Sequence, residues 1–223
     1  MTENSGALPW LVASVAAALA VVLTSQRPAP AEGLLVTFRQ PPLGSVWAMA
    51  VNRTIVLLRH AKSAWGLDVE DHERPLSKRG KRDGIAVGEH LVGHRIEPEL
   101  IWCSRAARAR QTWDRAVKAG ATADRVNYDD HLYEAVAHEL LKLLRKTPDQ
   151  VRTVMMIGHA PGIPDLVEKL APREGKSELW NRMDTKFLTS GLAVLSYDGD
   201  WPDLRKQSAS LLDFAVPRGK PKK

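Results

Sequence analysis

The sequence predicts an α/β domain in which a mostly parallel sheet carries helices on both faces. Three observations lead there. Apolar runs occur at Thr54–Leu58, Leu100–Cys103 and Thr153–Ile157; consecutive rather than alternating apolar positions over so few residues suit strands buried on both faces. Each run stops at polar residues, in turn Arg59-His60, Ser104-Arg105 and Gly158-His159. Each is followed by a stretch with helical signals, and strands alternating with helices favour a parallel sheet.

Taken in order, Thr54–Leu58 is the first strand, and Gly66 to Glu73 is a polar loop. Arg74-Pro75-Leu76-Ser77 leads into a helix with Ser77 as N-cap, whose stripe of Ile85, Leu91 and Val92 is interrupted by Gly84, Gly88 and Gly93. The second strand ends at Ser104, and Ala106 to Ala119 forms a helix closed by Gly120. Val126–Tyr128 is a short strand and Asp129 to Glu134 a loop. Val136 to Lys146 gathers Leu140, Leu141 and Leu144 on one side, with Pro148 just beyond, as an amphipathic helix does. Pro161 and Pro164 suit the first turn of a helix reaching about Leu170. Gly191–Tyr197 is a further strand, with Asp198-Gly199-Asp200 as its turn.

With 223 residues and 44% apolar composition the chain can bury one substantial core. The net charge of +6 overstates its basic character, because four of the positive charges lie in Pro217–Lys223. That tail, residues 218–223, reads as disordered. A nucleic-acid partner is therefore not expected, since such binding gathers cations on a folded face. One cysteine, Cys103, excludes an intrachain disulfide and a cysteine-based zinc cluster and suits a small core residue in the cytoplasm.

The first 48 residues stand apart. No charge occurs between Glu3 and Arg27, and residues 8–24 are almost wholly apolar, which allows a membrane segment somewhat shorter than the ~20 residues a spanning helix needs. A secretory signal is an alternative, with Ala29-Pro30-Ala31 as a cleavage site, but it lacks a basic leading region. The favoured reading makes residues 1–48 a mis-assigned extension or loose anchor and begins the domain, residues 49–217, at Met49. Were the segment to span, Arg27, Arg39 and Arg53 would keep the domain in the cytoplasm.

If the three strands lie side by side, Arg59, His60, Arg108 and His159 meet in one crevice beyond their carboxyl ends. Guanidinium groups bind a phosphoryl group bidentately, and a neutral imidazole nitrogen can attack phosphorus. Two histidines beside two arginines make a poor metal site, because the arginines repel a dication. A nucleotide phosphate loop of the G-x-x-x-x-G-K type does not occur in the sequence.

Four spaced pieces make the pattern specific: Leu58-Arg59-His60-Ala61-Lys62-Ser63-Ala64-Trp65, Arg74-Pro75-Leu76-Ser77-x-Arg79-Gly80, Ser104-x-x-x-Arg108-Ala109-x-Gln111-Thr112 and Ile157-Gly158-His159-Ala160-Pro161-Gly162. In this order they resemble the histidine phosphatase superfamily, and within it the short phosphohistidine-phosphatase branch of SixA type, from about Thr54 to Val216. The resemblance implies the compact phosphoglycerate-mutase-like fold and a metal-independent, cofactor-free hydrolase, active as a monomer on a phosphorylated protein or a small phosphorylated compound. It implies His60 as the nucleophile, Arg59, Arg108 and His159 as phosphoryl-holding groups, and Glu134 as general acid; Ser63 is close enough in sequence to be a further substrate contact. Glu134 has a second reading, as a helix-start residue favoured by the macrodipole. Lys62 and Arg105 are close enough in sequence to line the pocket. Gly66, where the mutase-like members carry a phosphate-contacting Asn, argues against mutase activity. The competing functions are a small-molecule phosphomonoesterase and a non-catalytic, membrane-tethered phosphate-binding module.

Overall fold

The computed structural model describes residues 52–173, 178–185 and 187–221. The readings made for residues 1–48, including the membrane or signal segment and the start at Met49, lie outside the described residues. Among the described residues, no helix is long and apolar enough to cross a membrane.

Among the described residues, six strands form one sheet in the order β3-β2-β4-β1-β5-β6. They are β1 (Asn52–Arg59), β2 (Leu100–Ser104), β3 (Arg125–Asp129), β4 (Thr153–Gly158), β5 (Leu192–Asp198) and β6 (Ala209–Ala215). The strands β3, β2, β4 and β1 are mutually parallel, as the alternation of elements predicts. Only β5 runs against the rest, since it is antiparallel to both β1 and β6. The helices are α1 (Lys78–Gly93), α2 (Ala107–Lys118), α3 (Ala137–Leu144), α4 (Gly162–Leu170) and α5 (Glu178–Thr185).

The central strand explains why its residues are consecutively apolar. Ile55 and Leu57 join a core with α3 and α4, while Val56 and Leu58 join another with α1 and α2. All four are fully buried; each such side chain stabilises the fold by roughly 1.5–3 kcal/mol. The opposite ends of β1 differ in character. Arg53 is buried, paired with Asp200 at 2.7 Å and set over the Trp201 ring, so that end is closed structure. The chemistry is left to the Arg59 end.

Ser77 caps α1 as expected, its Oγ accepting the Gly80 N–H at 3.0 Å. The glycines of α1 are not mere interruptions of its apolar stripe. At Gly88 a Cβ would stand 2.3 Å from the Ala116 carbonyl oxygen, so the missing side chain is what lets α2 lie against α1. Cys103 is a fully buried core residue, and burial pushes its thiol pKa up.

One expectation fails at the C-terminus. The start of the tail is held: Arg218 donates to Asp83 and to the Thr189 carbonyl, and the Gly219 N–H donates to Asp83. A buried carboxylate on α1 provides what a count of tail charges could not show.

Gly88→Ala is expected to cost about 1–3 kcal/mol in denaturant unfolding, the usual penalty for overpacking, whereas Gly93→Ala, with no heavy atom within 4 Å of its would-be Cβ, is expected to change stability little. Equal effects at the two positions would contradict this account of the α1–α2 contact.

Candidate active site

Register brings the polar strand ends together. Arg59 pairs with Gly158 across β1 and β4, and the His60 N–H donates to the Gly158 carbonyl at 3.0 Å. Cys103 pairs with Ile157 across β2 and β4, which puts Ser104 level with Gly158. The rings of His60 and His159 are 5.0 Å apart between centroids. Arg59, His60, Lys62, Ser63, Arg108, Glu134 and His159 all line one cavity of about 210 Å³, with Trp65, Arg74, Ala160 and Thr189 completing its wall.

His60 is 7% exposed, and its Nδ1 lies 2.7 Å from the Ala61 carbonyl oxygen. A carbonyl can only accept, so Nδ1 carries the proton and Nε2 keeps a lone pair. Burial, then the neighbouring His159, Arg108 and Arg59, push the His60 pKa down to about 3. The ring is neutral at pH 7. Thr112 stabilises this arrangement from below: its Oγ1 accepts the Ala61 N–H at 3.0 Å and donates to the Arg108 carbonyl at 2.7 Å.

His159 is likewise buried, and burial followed by Arg108 pushes its pKa down to about 3. Its Nε2 is 2.9 Å from Ser104 Oγ, which also accepts the Ala106 N–H at 3.3 Å. This contact fixes the orientation of the His159 ring against the end of β2.

Arg59 is anchored by a 2.7 Å bond from Nη1 to the Phe187 carbonyl. Arg108 is 5% exposed and spends both terminal nitrogens on Asp71, at 2.6 Å to its carbonyl and 3.0 Å to Oδ2. The same carboxylate accepts from Tyr133 Oη at 2.7 Å and pairs with Arg74 at 2.9 Å. The Tyr133 bond, with Arg108 and Arg74 beside it, outweighs the opposing effect of burial and holds the Asp71 carboxyl below its ordinary pKa range. Arg74 in turn lies over the Trp65 ring at 3.6 Å.

Sequence reasoning gave no role to Asp71, Tyr133, Ser104 or Thr112. Thr112 and Ser104 stood inside the quoted motif and could have been asked what they hold. Asp71 opens a single 3₁₀ turn, Asp71–Glu73, within a polar stretch that carries no local signal of a distant partner. Gln111, also in the motif, accepts the Leu76 N–H at 2.9 Å and ties the loop after β1 to α2. Gly80 allows the same loop to approach, since a Cβ there would stand 2.0 Å from the Lys62 carbonyl oxygen.

Two expectations need correction. Glu134 does not begin a helix: α3 starts at Ala137, and Glu139 is the acidic residue of its first turn, accepting the Val136 N–H at 3.1 Å. Glu134 stands before that helix with φ of 55° and lines the cavity. Arg105 is not in the cavity wall; it is exposed and pairs with Asp130 at 3.5 Å. Among the described residues, no group of three or more His, Cys, Asp or Glu side chains is placed to hold a metal ion.

A family model described as histidine phosphatase superfamily (branch 1) matches residues 55–153. The uncharacterized protein Rv1276c of Mycobacterium tuberculosis is 36% identical over 162 residues, 72% of this chain and 100% of that protein. The solved structure of a proposed phosphohistidine phosphatase SixA from Nakamurella multipartitia is 35% identical with a TM-score of 0.65, covering 74% of this chain and 96% of that one. This chain belongs to the histidine phosphatase superfamily. A second SixA structure, from Agrobacterium tumefaciens, is similar at 31% identity and a TM-score of 0.61, over 74% of this chain and 99% of its own. Within the superfamily the chain is of SixA type, and its sheet with flanking helices is the phosphoglycerate-mutase-like fold.

The two lowered imidazole pKa values fix a sign for this histidine phosphatase. In the unfolded chain these histidines protonate near 6.5, whereas the folded protein holds them neutral down to about 3. Between those values the unfolded chain binds more protons, so stability rises with pH and is lost on acidification through that window. Thermal unfolding between pH 6.5 and 3.5 is expected to show a falling midpoint, with His60→Gln falling less steeply. The same slope in both proteins would contradict the assignment to His60.

Proposed function

We propose that this phosphatase removes the phosphoryl group from phosphohistidine in a protein, through a covalent phosphohistidine intermediate on His60. The observation that carries the proposal is the state of His60: neutral, fixed by the Ala61 carbonyl through Nδ1, and facing a small cationic cavity. A nitrogen so held has a lone pair at Nε2 without needing a base to free it.

In the first step Nε2 attacks phosphorus and the bond to the leaving nitrogen breaks. Arg59, Arg108 and His159 hold the phosphoryl oxygens and spread the charge of the in-line transition state, with Ser63 as a further hydrogen-bonding group. The Nε atoms of Arg59, Arg74 and Arg108 are buried with no protein acceptor, which supports an anionic occupant for the cavity. Glu134, exposed at the wall, supplies the proton the leaving group takes. In the second step water gives a proton back to Glu134 as its oxygen attacks phosphorus, the P–Nε2 bond breaks, inorganic phosphate departs and neutral His60 returns. Three arginines at the cavity supply the positive charge that other phosphatases take from a metal, so the reaction is proposed to be metal-independent. The two similar SixA structures are named as proposed phosphohistidine phosphatases, which supports phosphohistidine as the substrate.

The proposal is tested by turnover on a phosphohistidine protein, phosphoramidate and sugar phosphates. The protein substrate is expected to be preferred, EDTA to leave the rate unchanged, and His60→Ala to lower turnover on the order of 10⁴-fold or more. Activity that survives His60→Ala removes it as nucleophile. Preference for a sugar phosphate makes the chain a small-molecule phosphomonoesterase instead.

A further inference from the structure

We infer that Arg218, in the C-terminal segment, is a positioning residue of the active site, acting through the strand-end segment Phe187–Ser190 that forms the Arg59 side of the cavity. The inference rests on the proposed reaction for what the cavity does, and on separate contacts for how the cavity is shaped.

The segment 187–190 grips the catalytic end of β1 in two places. The Phe187 carbonyl accepts Arg59 Nη1 at 2.7 Å. The Ser190 N–H lies 3.1 Å from the Arg59 carbonyl and 3.2 Å from the His60 carbonyl. Thr189, between them, is part of the cavity wall. Ser190 holds φ of 66° while fully buried, a left-handed conformation that is unfavourable for a non-glycine residue. Such a conformation persists only where surrounding contacts over-determine it.

Arg218 provides one of those contacts from the far side. Its Nη1 donates to the Thr189 carbonyl at 2.7 Å and to Asp83 Oδ2 at 3.0 Å. Asp83 is 1% exposed, so this carboxylate is a fixed anchor rather than a mobile surface charge. The following residue repeats the grip, with the Gly219 N–H 3.2 Å from Asp83 Oδ1. Glycine is required there, because a Cβ would stand 2.5 Å from the Arg82 carbonyl oxygen. The connection therefore runs from Asp83 on α1, through Arg218, to the Thr189 peptide, and from Ser190 to the backbone of Arg59 and His60. Without Arg218 the Thr189 carbonyl loses its donor, the Ser190 conformation loses a restraint, and the wall that sets the Arg59 guanidinium loosens. The phosphoryl group meets that wall in ground and transition states alike, so the loss falls on binding rather than on the chemical step.

The experiment uses the full chain and its Arg218→Ala, Arg218→Lys and Lys220→Ala variants. Two quantities are read well below the unfolding midpoint: the dissociation constant for inorganic phosphate by calorimetry, and kcat and KM for phosphoramidate. Loss of one such hydrogen bond is expected to raise both the phosphate Kd and KM about five-fold in Arg218→Ala, with kcat changing less than about two-fold. Arg218→Lys is expected to fall between Arg218→Ala and the unaltered chain, and Lys220→Ala to match the latter. A merely structural role would lower the unfolding midpoint and leave Kd and KM where they were, and that result overturns the inference. Should Arg218→Ala fail to fold, Arg218→Lys decides by the same two constants. Should the unaltered chain bind phosphate but hydrolyse nothing, the proposed reaction fails, and the phosphate Kd alone judges Arg218.

Discussion

The parallel pairing of β1 with β4, with Arg59 opposite Gly158, is the constraint on which the site depends. It sets two histidines from positions 99 residues apart within 5.0 Å of each other. It can do so because β1 is buried on both faces, Ile55 and Leu57 on one side and Val56 and Leu58 on the other. Slippage of that strand would carry His60 away from His159 and pull apolar groups out of two cores at once. Packing energy thus holds the catalytic register, and the polar strand ends are what packing leaves exposed to a cavity.

Such a cluster of like charge is costly unless its members are neutral or paired. The two imidazoles are neutral, driven there by burial and by their cationic neighbours. Arg108 shares Asp71 with Arg74 and Tyr133. Arg59 has only a backbone carbonyl at its Nη1 and a buried Nε with no protein acceptor. The electrostatic field therefore stays positive on the Arg59 side, where a dianion gains most, and the Asp71 network keeps the opposite wall from repelling itself apart.

Much of this was legible in the sequence, for reasons that can be stated residue by residue. Consecutive apolar positions at Thr54–Leu58 and Thr153–Ile157 announce buried strands, and a motif in fixed order announces what ends them. The strand β6 was not legible, because at a sheet edge it buries Ala209 and Phe214 while leaving Leu212 exposed, a pattern with neither period. The helix α5 offers only Trp180 and Met183 as buried residues. The orientation of β5 depends on which neighbour it meets, not on its own composition. Asp71 and the Asp83–Arg218 contact escaped for one reason: a charged residue carries no local mark of the distant partner it will find, here 37 and 135 residues away. Glu134 shows the opposite failure, a local helix-start signal that Glu139 answers instead.

The central claim is that His60 itself carries the phosphoryl group during turnover, and trapping the intermediate tests it most directly. Rapid mixing with phosphoramidate, quenching in base, where phosphohistidine survives, and mass spectrometry of the peptides should locate one phosphoryl group on His60 within the first turnover. Its absence from His60 while phosphate is still released, or its presence on another residue, would contradict the account.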